Sequence, residues 1–296
     1  MIVHEVVIIG AGPAGIATAI QLLRSGIRPR IFDERAIGGL LWNANLIENY
    51  PGFPGGLSGP RLARQMARQL RLTGGVVHHG RVTSVDIDGN FHLRTHLGEI
   101  EARTVVLATG TRPRPLDDVD ITNVASGRVF RHVWPMRRFR DQEIVIVGAG
   151  DAAYDYALTL ARHNDILIVQ RDANPRALSL LQDRVAENGR IRILRETQLL
   201  SVQANGACLR LVLGSSQGVD TLSADRLVIA TGRGPDLRCL SENVLRRRPS
   251  LEETGRLHLV GDVVRGACRQ TSIAVGDGVL AAMRISGAEI APLCES

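Results

Sequence analysis

Two stretches of the chain share one pattern: an unbroken run of apolar, mostly β-branched residues, then a glycine-rich turn, then apolar positions at helical spacing. The first runs Val6-Val7-Ile8-Ile9, then Gly10-Ala11-Gly12-Pro13-Ala14-Gly15, then Ile16, Ala19, Ile20 and Leu23. The second runs Ile144-Val145-Ile146-Val147, then Gly148-Ala149-Gly150-Asp151-Ala152-Ala153. A run with no polar alternation fits a strand buried on both faces of a parallel sheet, and the positions after each turn fit a buried helix. The span from Val6 to Leu23 is nearly free of charge. It lacks a basic n-region and is broken by patterned glycines and Pro13, so strand, turn and helix explain it better than a membrane span or signal peptide.

Each pair is followed about 20 residues later by a second strand. These are Pro29-Arg30-Ile31-Phe32-Asp33-Glu34 and Ile166-Leu167-Ile168-Val169-Gln170-Arg171. Further on, Val105-Val106-Leu107 and Leu227-Val228-Ile229 are apolar strands ending in Ala108-Thr109-Gly110 and Ala230-Thr231-Gly232. A last strand, Leu257-His258-Leu259-Val260, ends in Gly261-Asp262, and Arg269-Gln270-Thr271 opens a final apolar helix. That last element follows the second module but completes the first. The expected fold is therefore α/β, with two Rossmann-like dinucleotide-binding domains, one inserted into the other. The outer domain spans 1–114 and 233–296, the inner one 115–232.

The glycines have a chemical purpose in this setting. The first of each set permits a tight strand-to-helix turn, the second lets backbone approach a pyrophosphate, and the third position must be small for helix–strand packing. The phosphates then lie at the positive end of the helix. Candidate ligand-binding residues are thus Gly10, Gly12, Pro13, Ala14 and Gly15 in the first turn, and Gly148, Gly150, Asp151 and Ala152 in the second. Thr109, Gly110 and Gly232 close the two modules. Asp33 or Glu34 ends the first second-strand and could take ribose hydroxyls, whereas the other second-strand has no carboxylate before Asp172.

Composition narrows the choice of partner. Only ten residues are aromatic, too few for the stacking platforms of a single-strand nucleic-acid binder. The formal net charge is +6, but the arginines are spread along the chain without a basic tail, so nucleic acid is not expected. The four cysteines, Cys208, Cys239, Cys268 and Cys294, form no CxxC pair and no zinc spacing. Neither a metal site nor a disulfide framework is expected, and a reducing cytoplasm is the default compartment.

More specific still are Gly38-Gly39-Leu40, Glu48-Asn49-Tyr50-Pro51-Gly52-Phe53 with Leu57-Ser58-Gly59-Pro60, and Gly261-Asp262 with the Arg269-Gln270 helix. Over nearly its whole length the chain resembles the low-molecular-weight thioredoxin reductases and their relatives among the pyridine nucleotide-disulfide oxidoreductases. The resemblance implies FAD in the outer domain, with Gly39, Leu40 and Asn49 near the isoalloxazine and Asp262 on a ribityl hydroxyl. The amides around Arg269, Gln270 and Thr271 would face the flavin pyrimidine edge, where a helix N-terminus stabilises negative charge. It also implies a nicotinamide coenzyme in the inner domain. Arg171 matches an arginine that holds the 2′-phosphate in NADP-specific relatives and Arg176 falls near another, while Gln170 stands where a further arginine is usual. NADPH is favoured over NADH. The resemblance also suggests a homodimer.

One part of the family pattern is missing. The redox CxxC that precedes the second turn in thioredoxin reductases is here Arg131-His132-Val133-Trp134. Hydride transfer from nicotinamide to flavin needs positioning rather than an acid or base, so it survives this loss. The electrons must then reach an external acceptor directly. Residues 128–140 hold five arginines in 13 positions, a strip that would steer an acidic ferredoxin or flavodoxin. Some dithiol-lacking relatives are ferredoxin–NADP reductases, although those carry a C-terminal extension over the flavin. A small disulfide, a quinone or another small oxidant, a thioredoxin-type protein reached by another route, and a flavin-binding subunit or sensor without turnover remain open. Trp134 is either core filling or a ring over the flavin. Cys268 is either inert or a redox thiol near it, and Cys294 could be a mobile thiol.

Overall fold

The computed structural model describes residues 2–116, 119–122, 124 and 127–287. The chain divides into two compact units. One comprises Met1–Trp42, Glu48–Arg112 and Gly234–Ser296, the other Asn43–Ile47 and Pro113–Arg233. Cys294 lies outside the described residues. Among the described residues no helix is long and apolar enough to cross a membrane, and no group of His, Cys, Asp and Glu side chains could hold a metal.

The first unit is built on a seven-stranded sheet. Val77–His79, Arg30–Asp33, Val3–Ile9 and Gly98–Leu107 lie side by side in parallel, followed by the antiparallel pair Asn90–Thr95 and Val82–Asp88. The long strand Gly98–Leu107 is shared. Its first half pairs with Asn90–Thr95, and its second half takes Leu257–Leu259 in parallel, from Leu257 opposite Val105 to Leu259 opposite Leu107. Val6, Val7, Ile8 and Ile9 are all buried, which is why this strand tolerates no polar alternation. One face of the sheet packs on Val244 and Leu251 of the Glu242–Glu253 helix, with Phe91 and Val85 at the centre of that core.

The helices Pro13–Arg24 and Thr271–Ile285 meet through small residues. A Cβ on Gly278 would lie 2.2 Å from the Ala14 carbonyl oxygen, so the close approach requires glycine there. This packing brings Gly261, after the last strand, beside Ala14 in the first turn: a Cβ on Gly261 would lie 2.9 Å from that of Ala14.

The second unit carries a five-stranded, wholly parallel sheet. Its order is Ile191–Leu194, Asp165–Val169, Glu143–Val147, Arg226–Ile229, Val129–Phe130. A separate four-stranded sheet, Gly218–Ala224, Cys208–Ser215, Thr197–Asn205 and Asp120–Thr122, forms a core with it around Val202, Leu209 and Leu227. On the other face, helix Asp151–Leu160 buries Ala153, Tyr154, Ala157 and Leu160 against Ile144, Ile146 and Ile168.

The short segment Asn43–Ile47 belongs with this second unit, although sequence pattern alone leaves it with the first. The buried Asn43 Oδ1 accepts hydrogen bonds from the amides of Val133 and Trp134, at 3.0 and 3.1 Å. The Asn45 amide donates to Asp155 Oδ2 at 2.8 Å, and Arg162 Nη2 donates to Asn45 Oδ1 at 2.7 Å. Burial pushes the Asp155 carboxyl up to about 6, against the opposing pull of the Asn45 and Leu46 amides.

A raised carboxyl stabilises the fold fully below its unfolded value near 3.8, and that contribution is lost as pH rises through about 6. The difference between those values corresponds to about 3 kcal/mol. We expect the urea midpoint of Asp155→Asn to gain on wild type as pH rises from about 4 to about 6.5, with a constant gap above that. A gap that does not change with pH would show that Asp155 titrates as an ordinary surface carboxyl.

Candidate functional site

Each unit presents one glycine turn, and the two turns are built alike. In the first, Gly10 has φ 107°, and a Cβ there would lie 2.3 Å from the carbonyl oxygen of Ala108. In the second, Gly148 has φ 150°, and its Cβ would lie 2.5 Å from the carbonyl oxygen of Ala230. Both glycines thus face the backbone carbonyl of the residue before the matching Thr-Gly. Gly15 is equally constrained, since its Cβ would fall 1.9 Å from the Gly10 carbonyl oxygen. In the second turn the same place takes Ala153, fully buried.

Gly12 and Gly150 differ from these. Gly12 has φ −75° and ψ −175°, and Gly150 has φ −101° and ψ 177°, extended backbone open to any residue. A Cβ on either would meet nothing within 4 Å. Neither conformation nor packing demands glycine at these two positions. Each is the N-cap of a helix, and neither helix start is capped by a side chain. An uncapped helix N-terminus offers backbone N–H groups and a partial positive charge. Open space beside such a terminus suits an anion such as the diphosphate of a dinucleotide.

In the first unit the other candidates gather near this turn. Asp33 accepts the Ala11 amide at 2.6 Å and the Arg35 amide at 2.7 Å, so its carboxylate holds the turn to the second strand. Burial raises its pKa, and these two amide bonds oppose the rise. Glu34 is more exposed and forms loose ion pairs with Arg35 and Arg81 at 3.5 and 3.6 Å. Gly39, in the short 3₁₀ turn Gly39–Asn43 with Leu40, approaches Gly12, and a Cβ on it would sit 3.2 Å from the Gly12 Cα. Trp42 Nε1 fixes this loop by donating to the Ile37 carbonyl at 2.9 Å.

Asn49 Nδ2 donates to Gln270 Oε1 at 2.7 Å, which joins the Asn49 loop to the start of helix Thr271–Ile285. Arg269 and Gln270 precede that helix, whose first residue is Thr271. Thr109 Oγ1 donates to the Asp236 carbonyl at 2.6 Å, and the Asp236 amide donates to the Gly110 carbonyl, so Thr109 and Gly110 tie this strand end to Asp236. Asp262 lies in the 3₁₀ turn Gly261–Val263. Cys268 is exposed in the loop just before the final helix.

In the second unit the Arg176 amide donates to the Ala149 carbonyl at 2.7 Å, so the loop carrying Arg171 and Arg176 folds back onto the glycine turn. Asp151 Oδ1 accepts the Leu178 amide at 2.8 Å and holds the far side of that loop, and Ala152 is exposed beside it. Arg171 is exposed and lies 3.9 Å from Asp172. Gly232 accepts the Arg114 amide at 3.1 Å. Trp134 opens a 3₁₀ turn, and Arg137 stacks 3.4 Å over its ring.

Two residues escape a reading of the sequence. Asp277, in the final helix, accepts the Gly261 amide at 3.1 Å and pairs with Arg265, fixing the Gly261-Asp262 turn from behind. Gly278 permits the helix contact described above. The signal for Asp277 was a single carboxylate within an otherwise apolar stretch, Ile273 to Met283.

The chain is similar to known proteins over nearly its whole length. The family model described as pyridine nucleotide-disulphide oxidoreductase matches residues 4–278. A thioredoxin reductase of Streptomyces clavuligerus is 30% identical over 303 residues, covering 95% of this chain and 92% of its own length. One of Mycolicibacterium smegmatis is 28% identical over 309 residues, covering 95% of each. Among solved structures, the Lactococcus lactis thioredoxin reductase matches with a TM-score of 0.83 at 26% identity, over 95% of this chain and 97% of that one.

Proposed function

This chain belongs to the pyridine nucleotide-disulphide oxidoreductase family, in its thioredoxin reductase-like part, and from that premise we infer an oxidoreductase that passes electrons from NADPH through FAD directly to an external acceptor. It is an FAD-dependent NAD(P)H oxidoreductase by family, and the proposal concerns its ligand sites and its acceptor. The observation that carries the reading is the pair of glycines, Gly12 and Gly150, whose smallness serves no neighbour within the protein.

When bound, FAD supplies a two-electron acceptor for nicotinamide hydride and a donor to the next oxidant. In this proposal the amides that open helix Pro13–Arg24 hold the FAD diphosphate. Glu34, the more exposed of the two carboxylates, takes the adenosine ribose, while Asp33 holds the amides of Ala11 and Arg35. Gln270, anchored by Asn49, and Thr271 direct the N-terminus of the final helix at the flavin pyrimidine edge, and Asp262 takes a ribityl hydroxyl. The amides after Gly150 hold the NADPH diphosphate, with Arg171 and Arg176 toward its 2′-phosphate. The NAD(P)H-binding domain is thus the inserted unit.

No CxxC occurs anywhere in the chain, so internal dithiol relay has no residues to run on. At the corresponding place the amides of Val133 and Trp134 are fixed by Asn43, and the strip that follows is basic. Arg137, Arg138 and Arg140 are exposed, and Arg131, Arg137 and Arg140 each donate to backbone carbonyls. Their guanidinium charges form a positive surface suited to an acidic redox protein of the ferredoxin or flavodoxin kind.

The test is NADPH-driven reduction of such a carrier. We expect its KM to rise several-fold in Arg138→Glu and about tenfold between 50 and 200 mM salt, with the rate toward an uncharged quinone unchanged. Reduction of the carrier that ignores both salt and Arg138 would remove the acidic partner and leave a small oxidant as acceptor. The exposure of Cys268 favours one such oxidant, a small disulfide, and in that case Cys268→Ser abolishes turnover.

A further inference from the structure

The geometry points to Arg195 as a selectivity residue that contacts the 2′-phosphate of NADPH. This rests on the reading of the Gly148–Gly150 turn as the NAD(P)H site. In a dinucleotide fold the adenosine ribose lies at the end of the second strand, here at position 170. Gln170 is buried, with only 1% of its surface exposed, and its amide is used internally. Its Oε1 accepts from the Tyr154 hydroxyl at 2.9 Å and its Nε2 donates to the Asp172 carbonyl at 2.9 Å. Position 170 therefore offers a coenzyme neither a guanidinium for a 2′-phosphate nor a carboxylate for a 2′-hydroxyl.

The neighbouring strand supplies what position 170 does not. Ile191–Leu194 runs parallel to Asp165–Val169 with Leu194 opposite Val169. The chain then wraps around Gln170, whose amide donates to the Leu194 carbonyl at 2.9 Å and whose carbonyl accepts the Thr197 amide at 3.0 Å. Arg195 and Glu196 lie between these two bonds. Glu196 has φ 49°, a left-handed conformation unfavourable to a residue with a Cβ. Such a departure at a sheet edge re-aims the adjacent side chain, and outliers of this kind concentrate at functional sites.

The Arg195 side chain crosses to the loop of Arg171 and Arg176, where its Nη1 donates to the Ala173 carbonyl at 2.9 Å. Its other N–H donors have no carboxylate partner among the described residues, and the residue is exposed. Anchored at one nitrogen, the guanidinium keeps its fork for a phosphate. Asp172, at the same strand end, lies 3.9 Å from Arg171.

Isothermal calorimetry of the flavin-loaded protein with NADP⁺ and NAD⁺ tests this. Arg195→Gln should weaken NADP⁺ by about tenfold or more and NAD⁺ by less than about twofold. Arg195→Lys, which keeps the charge without the fork, should recover part of the loss. If both coenzymes weaken alike, Arg195 only holds Ala173 in place and the inference fails. It fails equally if neither weakens, or if the wild type prefers NAD⁺. A wild type that binds neither coenzyme overturns the underlying reading of the turn instead.

Discussion

Gly12→Glu is expected to give a folded protein without flavin. The backbone at Gly12 suits any residue and its Cβ points into open space, so the substitution meets no clash within the protein. A carboxylate at a helix N-terminus is favourable by about 0.3–1 kcal/mol, so the fold should not suffer. That carboxylate would occupy the place assigned to the FAD diphosphate, adding like charge to steric overlap. Loss of both the close approach and the charge complement should weaken FAD by at least about 100-fold, equivalent to roughly 3 kcal/mol. The check is the absorbance of the purified protein with its thermal midpoint after stripping the flavin. A yellow Gly12→Glu protein would break the assignment. Gly10 cannot be used this way, because its φ of 107° and the carbonyl 2.3 Å from its Cβ make any larger residue a folding defect.

Gly150→Glu applies the same chemistry to the other turn and should give the opposite phenotype. Its backbone is equally permissive and its surroundings equally open. The protein should remain yellow, since the first unit is untouched, but NADPH should reduce it about 100-fold more slowly at a given concentration. Dithionite should still bleach it normally. The pair of variants thus separates the two nucleotide sites by phenotype. If Gly150→Glu loses flavin, or if NADPH reduces it at the wild-type rate, the inserted unit does not hold the coenzyme.

The architecture was readable because parallel strands buried on both faces leave unbroken apolar runs, and each run ends at glycines that tertiary contacts require. Gly10 and Gly148 face the carbonyls of Ala108 and Ala230, so the first glycine of each turn records one contact made twice. Other features depend on partners distant in sequence and leave no local pattern. Asn43 caps amides 90 and 91 residues away, and nothing in Asn43-Ala44-Asn45 announces it. Gln170 appears in the sequence only as a missing arginine, whereas its hydrogen bonds with Tyr154 and the Asp172 carbonyl make it a buried support for the loop of Arg171 and Arg176. Asp33 and Glu34 were equivalent as sequence, and tertiary contacts distinguish them, the amides of Ala11 and Arg35 on Asp33 and the ion pairs with Arg35 and Arg81 on Glu34.

An anaerobic titration of the purified protein with NADPH bears most directly on the whole account. About one FAD per chain and loss of the flavin visible band after about one equivalent of NADPH are expected, with no further two-electron uptake because the chain has no CxxC. A protein isolated without flavin and unable to take it up, or a flavin that neither NADPH nor NADH bleaches, would contradict it.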